Sequence, residues 1–417
     1  MKINKKKIIN DPVFGFINIR SELIFDLIEH PYFQRLRRIK QLGLSYLVYP
    51  GANHTRFEHA LGAVHLMRSA IGILRLKGQE ISDEEADAAT IAILLHDIGH
   101  GPFSHALENT VVQGIPHEKI SILLMEELNR QFHGKLELAI SIFKDQYSRH
   151  FLHQLVSSQL DMDRLDYLSR DSFFSGVSEG VISSERIIKM LHVKNDELVV
   201  EYKGIYSVEN FLIARRLMYW QVYLHKTVLS AEYLLINVLA RAREIAQSGD
   251  ELFATPVLKA FLSNKVTLDD FVQNLLVDGK PVLDLFANLD DNDIIASIKE
   301  WQNHQDKILS YLAGCIVNRR LFKIKISKSP ISEQKIAKLK DKIRQHFNVD
   351  DDQLKYFMIS DTITNNAYNT VSSDKINVLF KNNKVSDIAV ASDINLSVFS
   401  ETVRKYFICY PKELDIK

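Results

Sequence analysis

Histidine and carboxylate side chains recur in four short strings spread through this 417-residue chain. They are Arg56-Phe57-Glu58-His59, His96-Asp97-Ile98-Gly99-His100-Gly101-Pro102-Phe103-Ser104-His105, His117-Glu118 and Asp161-Met162-Asp163-Arg164-Leu165-Asp166-Tyr167. Imidazoles and carboxylates are the ligands of divalent cations of borderline or hard character, and such a cation makes water nucleophilic at neutral pH. Taken singly, a buried histidine more often satisfies a core hydrogen bond. The ordered set, with its extra His, Arg and Tyr, points instead to metal-assisted hydrolysis.

Those side chains need a scaffold, and the periodicity supplies a helical one. From residue 20 to 320, apolar residues three and four apart predict helices over Ser21–Glu29, Tyr32–Leu42, Thr55–Lys77, Asp83–His96 and Ser207–Ala246. Pro31, Gly43, Pro50-Gly51, Gly78, Gly99-His100-Gly101-Pro102 and Gly114–Pro116 interrupt them. His59 then sits near a helix start and His96-Asp97 at the end of an apolar helix. Adjacent helical side chains point about 100° apart, so His96 and Asp97 share an ion only near that helix end. Asp163 must arrive from another helix. Two His and two Asp leave room for water or a phosphate oxygen in a six-coordinate site, and they do not choose among Fe, Mn, Ni, Zn and Mg.

Departures from the helical pattern are few. Leu198-Val199-Val200-Glu201-Tyr202 after Lys194-Asn195-Asp196 predicts a small hairpin. Beyond residue 320, Leu321–Ile326 alternates apolar with basic residues and Ile331–Phe347 reads as a helix. Tyr356–Ile359, Ile376–Phe380 and Tyr406–Tyr410 read as strands, with Lys381-Asn382-Asn383-Lys384 a hairpin turn. The expected fold is mainly α, with a small C-terminal α+β subdomain over 321–417. Residues 1–50 form an N-terminal helical segment with a regulatory or interface role, and 51–320 the hydrolytic core and its helical extension.

Composition narrows the partners. Lys+Arg and Asp+Glu both total 52, so the molecule has no general attraction to nucleic acid or to an anionic membrane, and any basic site is local. Cys315 and Cys409 are too few and too far apart for a disulfide framework, which fits a reducing compartment. No secretory h-region follows the N-terminal Lys5-Lys6-Lys7, and no apolar run approaches the ~18 residues a bilayer requires. A cytoplasmic protein is the default expectation.

Longer strings surround the His-Asp pair. Asp11-Pro12-Val13-Phe14-Gly15, Phe33-Gln34-Arg35-Leu36-Arg37-Arg38-Ile39-Lys40-Gln41-Leu42-Gly43, Pro50–His59, Gly101-Pro102-Phe103-Ser104-His105 and His225-Lys226 together span more than half the chain. With them the sequence resembles the HD-domain phosphohydrolases, and within them the deoxynucleoside triphosphate triphosphohydrolases. The resemblance implies an HD-domain helical core with His59, His96, Asp97 and Asp163 as ligands of a divalent metal. It implies His105 as the catalytic histidine beside the scissile phosphate. Glu108, three residues on, shares its helical face and could orient the imidazole, or it is simply a solvated carboxylate.

A triphosphate carries about four negative charges, which an electroneutral protein must meet with local cations. Arg56, Arg164, Arg215, His100 and His117 are candidates, and the resemblance places them around the phosphates. Asp163, Tyr167 and Asp171 recur every four residues, so Asp171 lies about 12 Å along a helix from the metal ligand, the reach from an α-phosphate past a ribose. The resemblance gives Tyr167 and Asp171 to the sugar, with Asp171 and Gln41 at its 3′-hydroxyl and Leu42 crowding the place of a 2′-hydroxyl. Tyr219 and Tyr223 follow Arg215 at the same spacing and either line the opposite wall or form a core stripe.

The expected reaction is water attack on the α-phosphorus of a dNTP, releasing deoxynucleoside and tripolyphosphate. By the same resemblance the protein is a homo-oligomer, dimer or tetramer. Gln34 and Arg37 match positions that hold an activator nucleotide, or else they pin a helix at a subunit interface. Two other classes stay open. One is an HD-type nucleotidase or other phosphomonoester or phosphodiester hydrolase. The other is a nucleotide-sensing or nucleic-acid-binding protein, which the neutral charge disfavours.

Overall fold

The computed structural model describes residues 7–103, 112, 114–365, 368–369, 375–396 and 402–414. It is mainly helical, with small sheets at the periphery. Three helices carry the metal-ligating candidates. Helix α2 (Arg56–Leu76) follows α1 (Glu22–Glu29) and starts with a capping box in which Thr55 and Glu58 hold each other's backbone. A second box starts α3 (Asp83–Leu95): Glu85 accepts from the Ser82 amide at 2.8 Å and its own amide donates to Ser82 Oγ at 3.1 Å. After α4 (His117–Gln131) comes α5 (Met162–Ser175), where Asp161 caps the start by accepting from the Arg164 amide at 2.7 Å and Gly176, at φ +73°, ends it. Helix α2 packs against both α3 and α5, so their ends meet.

The N-terminal segment is not helical at its start. β1 (Lys7–Asp11) and β2 (Gly15–Ile19) form an antiparallel hairpin with Lys7 opposite Ile19. Asp11 Oδ1 closes its turn by accepting from the Val13 and Phe14 amides at 2.9 and 2.8 Å, and alternate residues Ile17 and Ile19 enter the core. The helix expected over Tyr32–Leu42 stops early too. A turn of α-helix at Pro31–Gln34 tightens to 3₁₀ at Arg35–Arg38, and Ile39 is extended. Tertiary pairing overrides propensity there. The buried Arg35 donates to the carbonyls of Leu289, Ile98 and His100, while Lys40 bridges to Thr55 and the Gln41 amide donates to His54 O.

Ser207–Ala246 is likewise two helices. A π-turn at Tyr219–Tyr223 follows α6 (Ile205–Met218), and α7 (Lys226–Ser248) restarts with the His225 ring accepting from the Thr227 amide at 3.2 Å. The predicted hairpin is present as β3 (Leu191–Lys194) and β4 (Glu197–Glu201), with Asn195 and Asp196 both at positive φ in its turn.

Further along lie α8 (Lys307–Val317), β5 (Lys323–Ser327), α9 (Glu333–Phe347), β6 (Ile359–Asn365), β7 (Asn377–Leu379), β8 (Val385–Asp387) and β9 (Val403–Tyr410). Tyr356 ends a 3₁₀ turn rather than opening a strand, because Leu354, Tyr356 and Phe357 all turn inward. The strand is the more polar stretch after it, at the edge of the sheet ordered β5-β9-β6. A four-stranded sheet runs β8-β7-β4-β3, with β7 parallel to β4, so C-terminal strands complete a sheet begun by the β3–β4 hairpin. Among the described residues no helix is long and apolar enough to cross a membrane.

Candidate active site

His59 lies on the first turn of α2, His96 at the C-cap of α3 and Asp163 on the first turn of α5. Their ligating atoms all fall within 4.8 Å of one another. Asp163 Oδ1 is 3.1 Å from His59 Nε2 and 3.4 Å from His96 Nε2, and the two Nε2 atoms are 3.4 Å apart. Each imidazole is fixed from behind. His59 Nδ1 donates to Asp166 at 2.7 Å and His96 Nδ1 to the Ile93 carbonyl at 2.6 Å. With Nδ1 committed as donor, Nε2 is the ring nitrogen left to face a metal, which would displace its proton on binding. The donor set fits a divalent cation.

Asp97 joins from the side, 3.3 Å from His96 Nε2 and 3.7 Å from His59 Nε2. It also accepts from Arg56 and lies 3.3 Å from His100 Nε2. Asp97, His100 and His117 form a second group of converging donors, with the two imidazoles stacked at 3.7 Å. The electrostatics follow. Burial would depress the His59 imidazolium, but hydrogen bonds to Asp163 and Asp166 outweigh it and raise its pKa to about 10. Burial opposes ionisation of Asp97, yet the charges of His96 and Arg56 hold it well below the usual carboxylate range. Burial, then the Arg56 charge, push His100 well below its ordinary value and keep it neutral. Carboxylates thus focus negative potential where the imidazole nitrogens converge, the condition that favours a bound cation.

Arg56 also lines an adjoining cavity of about 360 Å³ with Gln41, Leu42, Tyr167, Asp171, Tyr219 and Tyr223. Asp171 accepts from Tyr223 Oη at 2.8 Å and lies 2.8 Å from His54 Nε2. The buried Gln41 Oε1 has no hydrogen-bond partner. Arg164 is not among the cavity-lining residues. Its Nε donates to Ser158 O at 2.6 Å and to Asp161 at 3.1 Å. Arg215 is buried with its guanidinium 5.9 Å from the Tyr219 ring centre. Arg37 Nε donates to Gln34 Oε1 at 2.9 Å and stacks on Phe57, away from this cavity. His105 and Glu108 lie outside the described residues.

Residues 56–171 match the HD domain and 182–252 the HD associated region. A crystal structure from Bacteroides thetaiotaomicron, described as a phosphohydrolase, is 55% identical with a TM-score of 0.92, covering 97% of this chain and 99% of that one. The protein belongs to the HD-domain phosphohydrolases. Bacillus subtilis YwfO is 31% identical to it over 427 residues, 99% of this chain and 94% of its own length. The Dictyostelium discoideum homologue of the deoxynucleoside triphosphate triphosphohydrolase SAMHD1 is 32% identical over 265 residues, 59% of this chain and 51% of that protein.

In this HD phosphohydrolase several anchoring residues escaped the sequence reading. The fully buried Asp166 accepts from His59 and takes two bonds of 3.0 Å from Arg170, which also reaches Asp11 at 2.8 Å. Gly62 makes the pair possible, since a Cβ there would lie 1.9 Å from Asp166 Oδ1. The His-Asp turn is tied to α4 by Ser121, whose Oγ accepts from the Gly99 amide at 2.9 Å and donates to His96 O at 2.8 Å. Asp166 and Arg170 stand four apart on α5, a signal available in sequence. Their partners Asp11 and His59 are more than a hundred residues away.

Proposed function

We propose that the protein is a metal-dependent deoxynucleoside triphosphate triphosphohydrolase, directing water to the α-phosphorus and releasing deoxynucleoside and tripolyphosphate. One observation carries the reading. The helix that brings Asp163 to the metal group also brings Tyr167 and Asp171 to the wall of the cavity beside it, so a phosphate at one end and a sugar at the other would share one scaffold. A divalent cation held by His59, His96, Asp97 and Asp163 would supply a Lewis acid for a phosphoryl oxygen and for water.

The chain does the rest. Arg56, with His100, His117, Arg164 and Arg215, offsets the triphosphate charge. Arg164 would leave its contacts to Ser158 and Asp161 to do so. His105 protonates the departing 5′-oxygen and Glu108 orients it. Asp171 and Gln41 accept or donate at the 3′-hydroxyl, Tyr167 packs on the sugar, and Leu42 excludes a 2′-hydroxyl. The assembly is a homo-oligomer, with Gln34 and Arg37 at an activator-nucleotide or subunit contact. The name of the Dictyostelium relative supports the substrate class.

Product analysis across four dNTPs and four NTPs with added Mn²⁺ tests it. Tripolyphosphate from dNTPs with little from NTPs is expected, and none from the His96→Ala protein. Orthophosphate release from nucleoside monophosphates alone would move the assignment to a nucleotidase.

A further inference from the structure

The cavity beside the metal group holds one acidic side chain that the proposed reaction does not use. Glu232, on α7, lines it with Leu42, Phe103, Leu224 and Leu229. Leu229 and Glu232 stand three apart, so they share the helix face turned to the cavity. The other acid of the wall, Asp171, is already engaged by His54 and Tyr223, and Arg56 is engaged by Asp97.

Among the described residues Glu232 has no such partner. Burial pushes its carboxyl up to about 7, and no hydrogen bond or charge from the described residues offsets it. An acid in an apolar wall destabilises a fold unless something pairs with it. Leucine at this position would pack with Leu229 and Leu42 at no such cost. Glu232 faces the cavity, so a ligand that fills it would supply the pairing group.

We propose that Glu232 reads the base of the nucleotide, its carboxylate taking the adjacent N1–H and N2–H donors of guanine. The inference rests on the dNTP reading above. Metal ligands come from α2, α3 and α5, and Asp171 and Tyr167 from α5, whereas Glu232 comes from α7 and is left for the remaining part of a nucleotide. An ionised carboxylate only accepts hydrogen bonds. Guanine offers it two donors side by side. Adenine and cytosine each offer one exocyclic amine beside an acceptor nitrogen, and thymine a single N3–H between two carbonyl oxygens. The order dGTP first, dATP and dCTP next, TTP last follows from that chemistry.

The test is kcat/KM for the four dNTPs with Mn²⁺, on wild type and Glu232→Gln, together with thermal shifts of the metal-free proteins by deoxyguanosine and thymidine. Wild type should favour dGTP over TTP by roughly 10- to 100-fold, and Glu232→Gln should narrow this to about threefold or less. Deoxyguanosine should stabilise wild type more than thymidine does, and the substitution should erase the difference. Glu232→Leu, which removes a half-buried acid with no partner among the described residues, should melt no lower than wild type. A wild type that ranks TTP level with dGTP, or a Glu232→Gln enzyme with an unchanged base profile, overturns the assignment. Failure of every dNTP to react would sink the proposed reaction instead, and the nucleoside shifts would then decide the role of Glu232 by themselves.

Discussion

Replacing Asp166 by Asn tests whether the metal group is held in shape by the carboxylate behind it. Asp166 is wholly buried, accepts from His59 Nδ1 at 2.7 Å and takes Arg170 in two bonds of 3.0 Å. Removing one partner of a buried ion pair costs about 3–5 kcal/mol. Arg170 keeps Asp11, and asparagine keeps one carbonyl acceptor, so the lower end, about 3 kcal/mol, is expected. Urea denaturation in EDTA reads this without any contribution from metal. The pH dependence has a definite sign. Burial opposes ionisation of Asp166, but the Arg170 charge and the His59 hydrogen bond hold its carboxyl below the ordinary value. Its stabilisation is therefore complete above about pH 4 and is lost as pH falls through the depressed folded value, so the gap between wild type and Asp166→Asn should close in acid. Titration with Mn²⁺ at neutral pH should show affinity reduced roughly 10- to 100-fold, since His59 loses the carboxylate charge that makes it a more basic ligand. An Asp166→Asn protein with wild-type urea midpoint in EDTA and wild-type Mn²⁺ affinity would refute the reasoning.

Three further outcomes follow from other contacts. Gly62→Ala forces a methyl against Asp166 and Arg170 and should cost about 1–3 kcal/mol in the same urea assay. Tyr223→Phe removes the 2.8 Å bond to Asp171 and should raise KM for a dNTP roughly tenfold with little change in kcat. Mn²⁺ at a hundred times its Kd should stabilise wild type by about 2.7 kcal/mol, and Asp163→Ala should abolish that gain.

The helical class and the family were legible in the chain because both reside in local patterns: the three-four spacing of apolar residues, and strings such as Phe33–Arg38 and Gly101–His105 that carry their meaning without the rest. What the chain hid was set by distant partners. Arg35 cuts short the helix over Tyr32–Leu42 because its guanidinium is claimed by Leu289, some 250 residues away. The apolar-periodic run Ser207–Ala246 conceals the π-turn at Tyr219–Tyr223, since an extra residue in one turn leaves the period nearly intact. Within the candidate site, His59, His96 and Asp163 stood out as types, whereas Asp166 looked like any helical acid until the fold set it behind His59. Glu232 was equally silent, because a place in a cavity wall is a property of the fold rather than of local sequence.

The parallel pairing of β4 with β7 sets an order of events during synthesis. β4 ends at Glu201 and its neighbour begins at Asn377, so roughly 180 residues must be translated before the partner strand exists. At ~5–20 residues per second that delay is roughly 10–35 s, far longer than a hairpin needs to form. Throughout it the nascent β3–β4 hairpin presents an open strand edge beside the newly made helices, a surface able to recruit another chain's strand. Truncations upstream of Asn377 would leave that edge permanently bare, and their failure mode would be edge-to-edge aggregation rather than loss of the metal-binding helices.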